Sequence, residues 1–315
     1  MSAEYVIDFH CDTLTEFAGY TDTGNPDTLN DPKRALSLDK IPEGTLWIQC
    51  CAIFIPDEKR GSEAVEYFEK YLRSFNRQLE KFSSRLVKAE SPEDIRRARM
   101  EKKNAAILTV ENGSVLAGDI KRVKTLADCG VKIMTLVWNG ENEIGSGNTT
   151  DHGLSAFGRE VVAEMEKNRI LVDVSHLNDA GFEDLLKTAG RPFIATHSNA
   201  RAVCSHKRNL PDEFIREMVK RDCFIGLNYF TEFITDGGAV KGRGDFFRHI
   251  EHFLELGAGD ILGLGSDFDG ADLPDFLDGP EAVCGLYEDI SAKFGEETAS
   301  KIYYKNAERF IGDNF

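Results

Sequence analysis

His10 and Asp12 stand two residues apart at the end of a short apolar run, in the stretch V-I-D-F-H-C-D-T over Val6–Thr13. In an extended strand residues i and i+2 face the same side. An imidazole and a carboxylate would therefore converge on one point, which is a good start on a site for zinc or a similar divalent ion. Further donors recur in the same setting. Glu111 follows A-A-I-L-T-V, His176 follows I-L-V-D-V-S, His197 follows P-F-I-A-T, and Asp267 follows I-L-G-L-G-S. Of seven histidines, these three end strand-like runs, whereas His152, His206, His249 and His252 fall in loops or helical segments. Imidazole nitrogens and carboxylate oxygens with no thiolate favour zinc, manganese, cobalt or iron over a structural cysteine site. Six donors exceed what one tetrahedral zinc takes, so two ions are expected, with Glu111 able to place one oxygen on each. A pair about 3.5–4 Å apart would share a water, lower its pKa and polarise a carbonyl.

Such donors need a scaffold that brings strand ends together. Apolar runs read as strands around Val6–Phe9 and at Leu46–Ile55, Ala105–Val110, Val131–Trp138, Ile170–Val174, Pro192–Thr196, Cys223–Tyr229 and Ile261–Gly265. Helical spacing fills most of the intervals, at Gly61–Val87, Ser114–Ala127, Phe157–Asn168, Asp179–Ala189, Asp212–Arg221 and Phe246–Leu256. Two more helical segments, Glu281–Phe294 and Glu297–Phe310, end the chain. Buried strands alternating with helices imply a parallel sheet. Eight of them predict an α/β fold of the closed (β/α)8 TIM-barrel type, whose chemistry gathers at the C-terminal strand ends. The aromatic stripe Tyr67, Phe68, Tyr71 and Phe75 reads as core packing. Tyr20–Lys40 is turn-rich, with Asn25-Pro26 and Asp31-Pro32. The glycine-rich stretches Asn139–Gly153 and Thr231–Asp245 follow strands and would sit over the mouth as loops able to close on substrate. No linker or repeat divides residues 1–315, so one catalytic barrel is expected.

Composition narrows the partners. Lys plus Arg number 38 against 54 for Asp plus Glu, a net charge of −16. That balance argues against nucleic acid and against an anionic membrane surface. No apolar stretch approaches the roughly 18 residues of a membrane span. The seven cysteines are scattered without a C-x-x-C pair, which fits a reducing compartment and a cytoplasmic protein.

Taken in order, His10-x-Asp12, V-E-N-G around Glu111, D-V-S-H at His176, A-T-H-S at His197 and G-L-G-S-D-F-D-G around Asp267 resemble the membrane (renal-type) dipeptidases. These are metallopeptidases of the amidohydrolase superfamily, so the resemblance, which runs from residue 6 to about 310, implies a TIM-type barrel of the metal-dependent hydrolase type. It implies a zinc-dependent dipeptidase with two Zn2+ ions, one on His10, Asp12 and Glu111 with Asp267 nearby, the other on Glu111, His176 and His197. A hydroxide bridging the ions would attack the peptide bond, and Asp267 would take its proton and pass it to the leaving amine. The loop after His197 implies that Arg208 holds the dipeptide's carboxylate, a role suited to a planar guanidinium; without the family, Arg208 reads as a surface charge. The family resemblance also implies a homodimer.

One position departs from the pattern. The family commonly reads T-L-T-H where this chain reads T-L-V-W, so Trp138 stands where a histidine would stabilise the oxyanion. An indole N–H donates a hydrogen bond but carries no charge. Trp138 would then narrow the pocket or stack on the substrate, and His152 is a candidate to fold back over the site. Asp269 is an alternative ligand to Asp267, and Asp8 a candidate orienter of the donors. Two other functions stay open at this stage. One is a related amidohydrolase acting on N-acyl amino acids or another small amide. The other is a metal- or ligand-binding barrel without catalysis.

Overall fold

The computed structural model describes residues 3–15 and 25–315. Nine parallel strands form one sheet: β1 (Tyr5–Asp8), β2 (Leu46–Phe54), β3 (Leu86–Lys88), β4 (Asn104–Glu111), β5 (Ile133–Thr135), β6 (Leu171–Asp173), β7 (Ile194–Ala195), β8 (Phe224–Leu227) and β9 (Leu262–Leu264). Their order is β2-β1-β9-β8-β7-β6-β5-β4-β3, and a further β2–β4 pairing closes eight of them into a barrel. That closure runs from Ile48↔Ala105 to Phe54↔Glu111. β3 lies outside the ring: it pairs with Asn104–Ala106 at the start of β4, leaving Thr109–Glu111 to pair with β5.

Side-chain alternation sorts the core into two shells. Ile7, Phe9, Ile48, Cys50, Ile107, Ile133, Ile194 and Phe224 belong to one buried cluster, with the Phe9 and Phe224 rings 4.3 Å apart. Their neighbours Val6, Trp47, Cys51, Leu108, Met134, Ala195 and Ile225 pack in the larger cluster with the surrounding helices. The aromatic stripe behaves as expected, with Phe68, Tyr71 and Phe75 buried on helix Ser62–Lys81.

Several element boundaries differ from the sequence reading. The first long helix ends at Lys81 rather than Val87, and the chain turns through residues 82–85 into β3. Helix Pro92–Glu101 was not anticipated, although its start is well signalled: Ser91 caps it by accepting from the Asp94 N–H, and Pro92 occupies the first turn. The expected helix Ser114–Ala127 is broken by Ala117 and Gly118 at positive φ; a 3-10 turn, Gly113–Leu116, precedes helix Lys121–Asp128. Thr231–Asp245 is not wholly a loop, because it contains the helical turn Thr231–Ile234 and the start of helix Arg243–Glu255. Within the turn-rich stretch Tyr20–Lys40, residues 20–24 lie outside the described residues, and 3-10 turns follow at Thr28–Asn30 and Leu38–Lys40.

Candidate active site

Each of the six donors leaves the C-terminal end of a strand. His10 and Asp12 follow β1, Glu111 ends β4, His176 follows β6, His197 follows β7 and Asp267 follows β9. All six are buried. His176 and Asp267 reach the mouth through left-handed backbone, at φ 71° and 63°. For residues other than glycine such conformations cost about 1–3 kcal/mol each and persist where the surroundings enforce them. Gly270 gives the carboxylates room: a Cβ there would lie 2.1 Å from Asp12 Oδ2 and 2.7 Å from Asp267 Oδ1.

Glu111 stands between two groups of donors. Its Oε2 lies 3.7 Å from His10 Nε2, which in turn is 3.4 Å from Asp12 Oδ2 and 3.8 Å from Asp267 Oδ1. Its Oε1 lies 2.8 Å from His176 Nε2 and 3.8 Å from His197 Nε2. The two Nε2 atoms are 3.1 Å apart. Two triads have ligand atoms mutually within 4.8 Å, His10–Glu111–His197 and His10–Asp12–Asp267.

These donors fit a divalent metal. Three carboxylates and three imidazoles are gathered away from water, and His10 Nε2 and Asp12 Oδ1 are buried without a hydrogen-bond partner. Buried polar atoms are rarely left so, and oxygen and nitrogen ligands without thiolate suit zinc, manganese or a similar ion. The electrostatics point the same way. Burial, reinforced by Asp12, raises the Glu111 carboxyl well above its usual range, and burial also raises Asp267. Burial alone would keep His10 neutral, but Asp12 and Glu111 push it up to about 10. Burial holds His176 and His197 well below the usual imidazole value. A cation among the carboxylates relieves their mutual repulsion.

Around the donors lies a cavity of about 300 Å³, lined by residues that include Asp12, Glu111, Trp138, His176, Arg208, Phe230, Phe233 and Asp267. Arg208 is buried, its guanidinium 5.3 Å over the Phe233 ring, and its Nε and Nη2 have no hydrogen-bond partner. Burial lowers it to about 10, while Asp267 and Glu111 favour its charge. Trp138 packs edge-on against Phe54, centroids 5.0 Å apart, and lies 6.2 Å from the His176 ring. A roomier groove, about 730 Å³, opens around Tyr5, Arg99 and Tyr304 at the other end of the strands, away from the donors.

The remaining candidates separate clearly. His152 is not brought into the cavity; its side chain is 83% exposed and pairs with the Glu141 carboxylate. Asp269 turns away from the donors, accepting from Thr13 Oγ1 at 2.5 Å and from the Ala35 N–H at 2.7 Å. It thereby ties the following loop to the barrel end. Asp8 lies beneath the site and accepts from the His10 N–H, Gln49 Nε2 and the Ser266 N–H and hydroxyl. Two orienting residues escaped the sequence reading. Asn228 Nδ2 donates to Asp267 Oδ2 at 3.0 Å, and Asn139 Oδ1 lies 3.1 Å from His176 Nδ1. Asn139 follows the strand-like run Val131–Trp138 and Asn228 lies near the end of the run Cys223–Tyr229, and neither residue type by itself signals a contact to a particular side chain.

A profile of the membrane dipeptidase family (peptidase family M19) matches residues 1–314. A Klebsiella pneumoniae protein encoded in the pqqA 5′ region, itself uncharacterised, is 30% identical over 240 residues, covering 71% of this chain and 87% of its own length. Among solved structures, the metallopeptidase called dipeptidase AC superposes with a TM-score of 0.92 at 24% identity, covering 100% of this chain and 99% of its own. A Rhodobacter sphaeroides metallopeptidase, liganded with a phosphinate mimic of the dipeptide L-Ala-D-Ala, gives 0.92 at 23% identity, covering 100% of both chains. The probable dipeptidase PvdM of Pseudomonas aeruginosa gives 0.82 at 19% identity, covering 99% and 95%.

Proposed function

The chain belongs to the membrane dipeptidase family and is a metal-dependent hydrolase of dipeptides, and from that premise we propose how its residues divide the work. Two zinc ions would be held, one by His10, Asp12 and Glu111 with Asp267 beside them, the other by Glu111, His176 and His197. The observation that carries this reading is that the two oxygens of Glu111 face different groups of donors, His10 on one side and the histidine pair on the other. Bound there, such ions would lower the pKa of a water and polarise the scissile carbonyl.

Everything else falls to the chain itself. The unpartnered Nε and Nη2 of Arg208 would take the substrate's carboxylate in a two-pronged hydrogen bond, and Phe233 supports the guanidinium from below. That contact would fix the dipeptide's C-terminal end in a cavity that Phe230 and Phe233 also line. Trp138 walls the cavity beside His176 and would narrow the space open to substrate. Asp267 would accept the water's proton on Oδ1, since Asn228 already occupies Oδ2, and deliver it to the leaving amine. The mimic bound by the Rhodobacter protein copies the dipeptide L-Ala-D-Ala, and we extend acceptance of a D-residue at the C-terminal position to this chain. Seven free cysteines support a cytoplasmic location.

The test is amino-acid release from a panel of L-L and L-D dipeptides by the zinc-loaded protein, with C-terminally amidated controls. Cleavage of free dipeptides and not of amides is expected. Intact dipeptides alongside hydrolysed N-acyl amino acids would replace the dipeptidase reading with that of a related amidohydrolase.

A further inference from the structure

Behind His197 runs a chain of hydrogen bonds with only one consistent direction. His197 Nδ1 lies 2.8 Å from Thr196 Oγ1, which lies 2.6 Å from Asp173 Oδ2. Asp173 receives three other donors: Thr135 Oγ1 at 2.6 Å on Oδ2, and the Ser175 and Thr196 N–H groups at 2.9 and 3.0 Å on Oδ1. A carboxylate ringed by donors only accepts, and a hydroxyl has one proton to give. Thr196 therefore gives its proton to Asp173 and turns its lone pairs to its remaining neighbours. One is Ser175 Oγ at 3.3 Å, which itself accepts the His197 N–H at 3.1 Å. The other is His197 Nδ1. The proton between Thr196 and the ring must then come from the ring.

We propose that Asp173 and Thr196 are positioning residues that lock neutral His197 as its Nδ1–H tautomer, leaving the Nε2 lone pair bare toward Glu111 and His176. The inference rests on the reading of this mouth as a metal site, and it concerns only residues of this chain. The relay is held rigidly, because Asp173, Thr135 and Thr196 are all buried. Behind Thr196 two glycines leave no slack: a Cβ on Gly226 or Gly265 would lie 2.0 or 1.8 Å from the Thr196 carbonyl oxygen. His176 has a weaker arrangement, since its partner Asn139 is an amide that can present either end. The carboxylate of Asp173 has no donor end to present.

The polarity can be reversed with almost no change of shape. In Asp173→Asn the amide oxygen would keep the two backbone N–H groups, and its NH2 would face the hydroxyls of Thr135 and Thr196. Thr196 would then receive a proton from residue 173 and donate its own to His197 Nδ1, driving the ring to Nε2–H. Long-range 1H–15N correlation spectra of metal-free, full-length protein labelled at histidine nitrogen read this directly, with His197→Gln identifying the resonance. Wild type should show Nδ1–H and Asp173→Asn should show Nε2–H. Zinc Kd, measured by competition with a chromophoric chelator, should rise about 10–100-fold in Asp173→Asn and Thr196→Val, as when the outer partner of a ligand histidine is lost. Thr196→Ser should stay near wild type. The proposal fails if Asp173→Asn keeps the Nδ1–H tautomer, or if Thr196→Ser weakens zinc as much as Thr196→Val. Should Asp173→Asn not fold, the valine and serine pair decides alone. Neither readout uses turnover. A protein with the expected tautomer that cleaves no dipeptide would keep the relay and lose the dipeptidase reading.

Discussion

At the scale of single residues, the proposed division of work puts both metal and proton beside Asp267, whose Oδ1 lies 3.8 Å from His10 Nε2 while its Oδ2 is held by Asn228. Replacing the carboxylate by an amide keeps the oxygen that Asn228 holds and removes the ability to take a proton. Asp267→Asn is therefore expected to retain metal, assayed by elemental analysis, and to lose about 10²–10⁴-fold in kcat with little change in KM. Near-normal kcat would remove Asp267 from proton transfer. Trp138 belongs to this scale too. Its packing against Phe54 makes it a wall of the cavity, and no histidine from the neighbouring loop takes its place, because His152 is turned outward to Glu141.

At the scale of elements, the strands are short at the site end and crowd one another there. β7 pairs over only Ile194–Ala195, and Gly265, just past β9, abuts the backbone that follows β7. A Cβ on Gly265 would meet the Thr196 carbonyl and lie 3.1 Å from His197 Cα. Backbone cannot move aside as a flexible side chain does, so Gly265→Ala should destabilise the protein by about 1–3 kcal/mol and weaken metal binding as His197 shifts. Gly285, in helix Pro280–Phe294, provides the contrast, since a Cβ there meets nothing within 4 Å. Gly285→Ala should stabilise by roughly 0.4–1 kcal/mol. Urea midpoints of the two variants check both signs; a neutral Gly265→Ala would show that the strand ends are looser than their contacts imply.

At the scale of the whole molecule, His249 joins two loops around the mouth. Its Nδ1 accepts from the Ala200 N–H, at the start of the loop bearing Arg208, and its Nε2–H donates to the Ile234 carbonyl. Burial depresses this imidazole to about 4. Because the unfolded chain protonates near 6.5 and the folded one only near 4, the unfolded state binds more protons between those values. The stability that His249 contributes is complete above pH 6.5 and is lost as pH falls toward 4, by roughly 3 kcal/mol at most. His249→Gln, which keeps an acceptor and a donor, should flatten that limb of stability against pH. An unchanged slope between pH 6.5 and 4 would show that His249 is not its source.

Much of this was legible in the chain itself. Barrel class follows from apolar runs alternating with helical spacing, because burial on both faces of a parallel sheet demands it. The six candidate donors could be named because each stands at the end of such a run, and strand ends of a barrel share one mouth. The extra strand Leu86–Lys88 was hidden by its shortness and by the helix before it, and helix Pro92–Glu101 by the absence of a long apolar stripe behind a clear cap. Tertiary structure decided what depends on direction and distance. It showed Glu111 facing two groups of donors, Asp269 turned to Ala35 and Asp267 to the mouth, and His152 left at the surface. The hydrogen bonds of Asp173 to Thr135 and Thr196 and of Asn228 to Asp267 form only there, since a hydrogen bond needs its partner within about 3 Å, and these partners lie 20 to 40 residues apart in sequence.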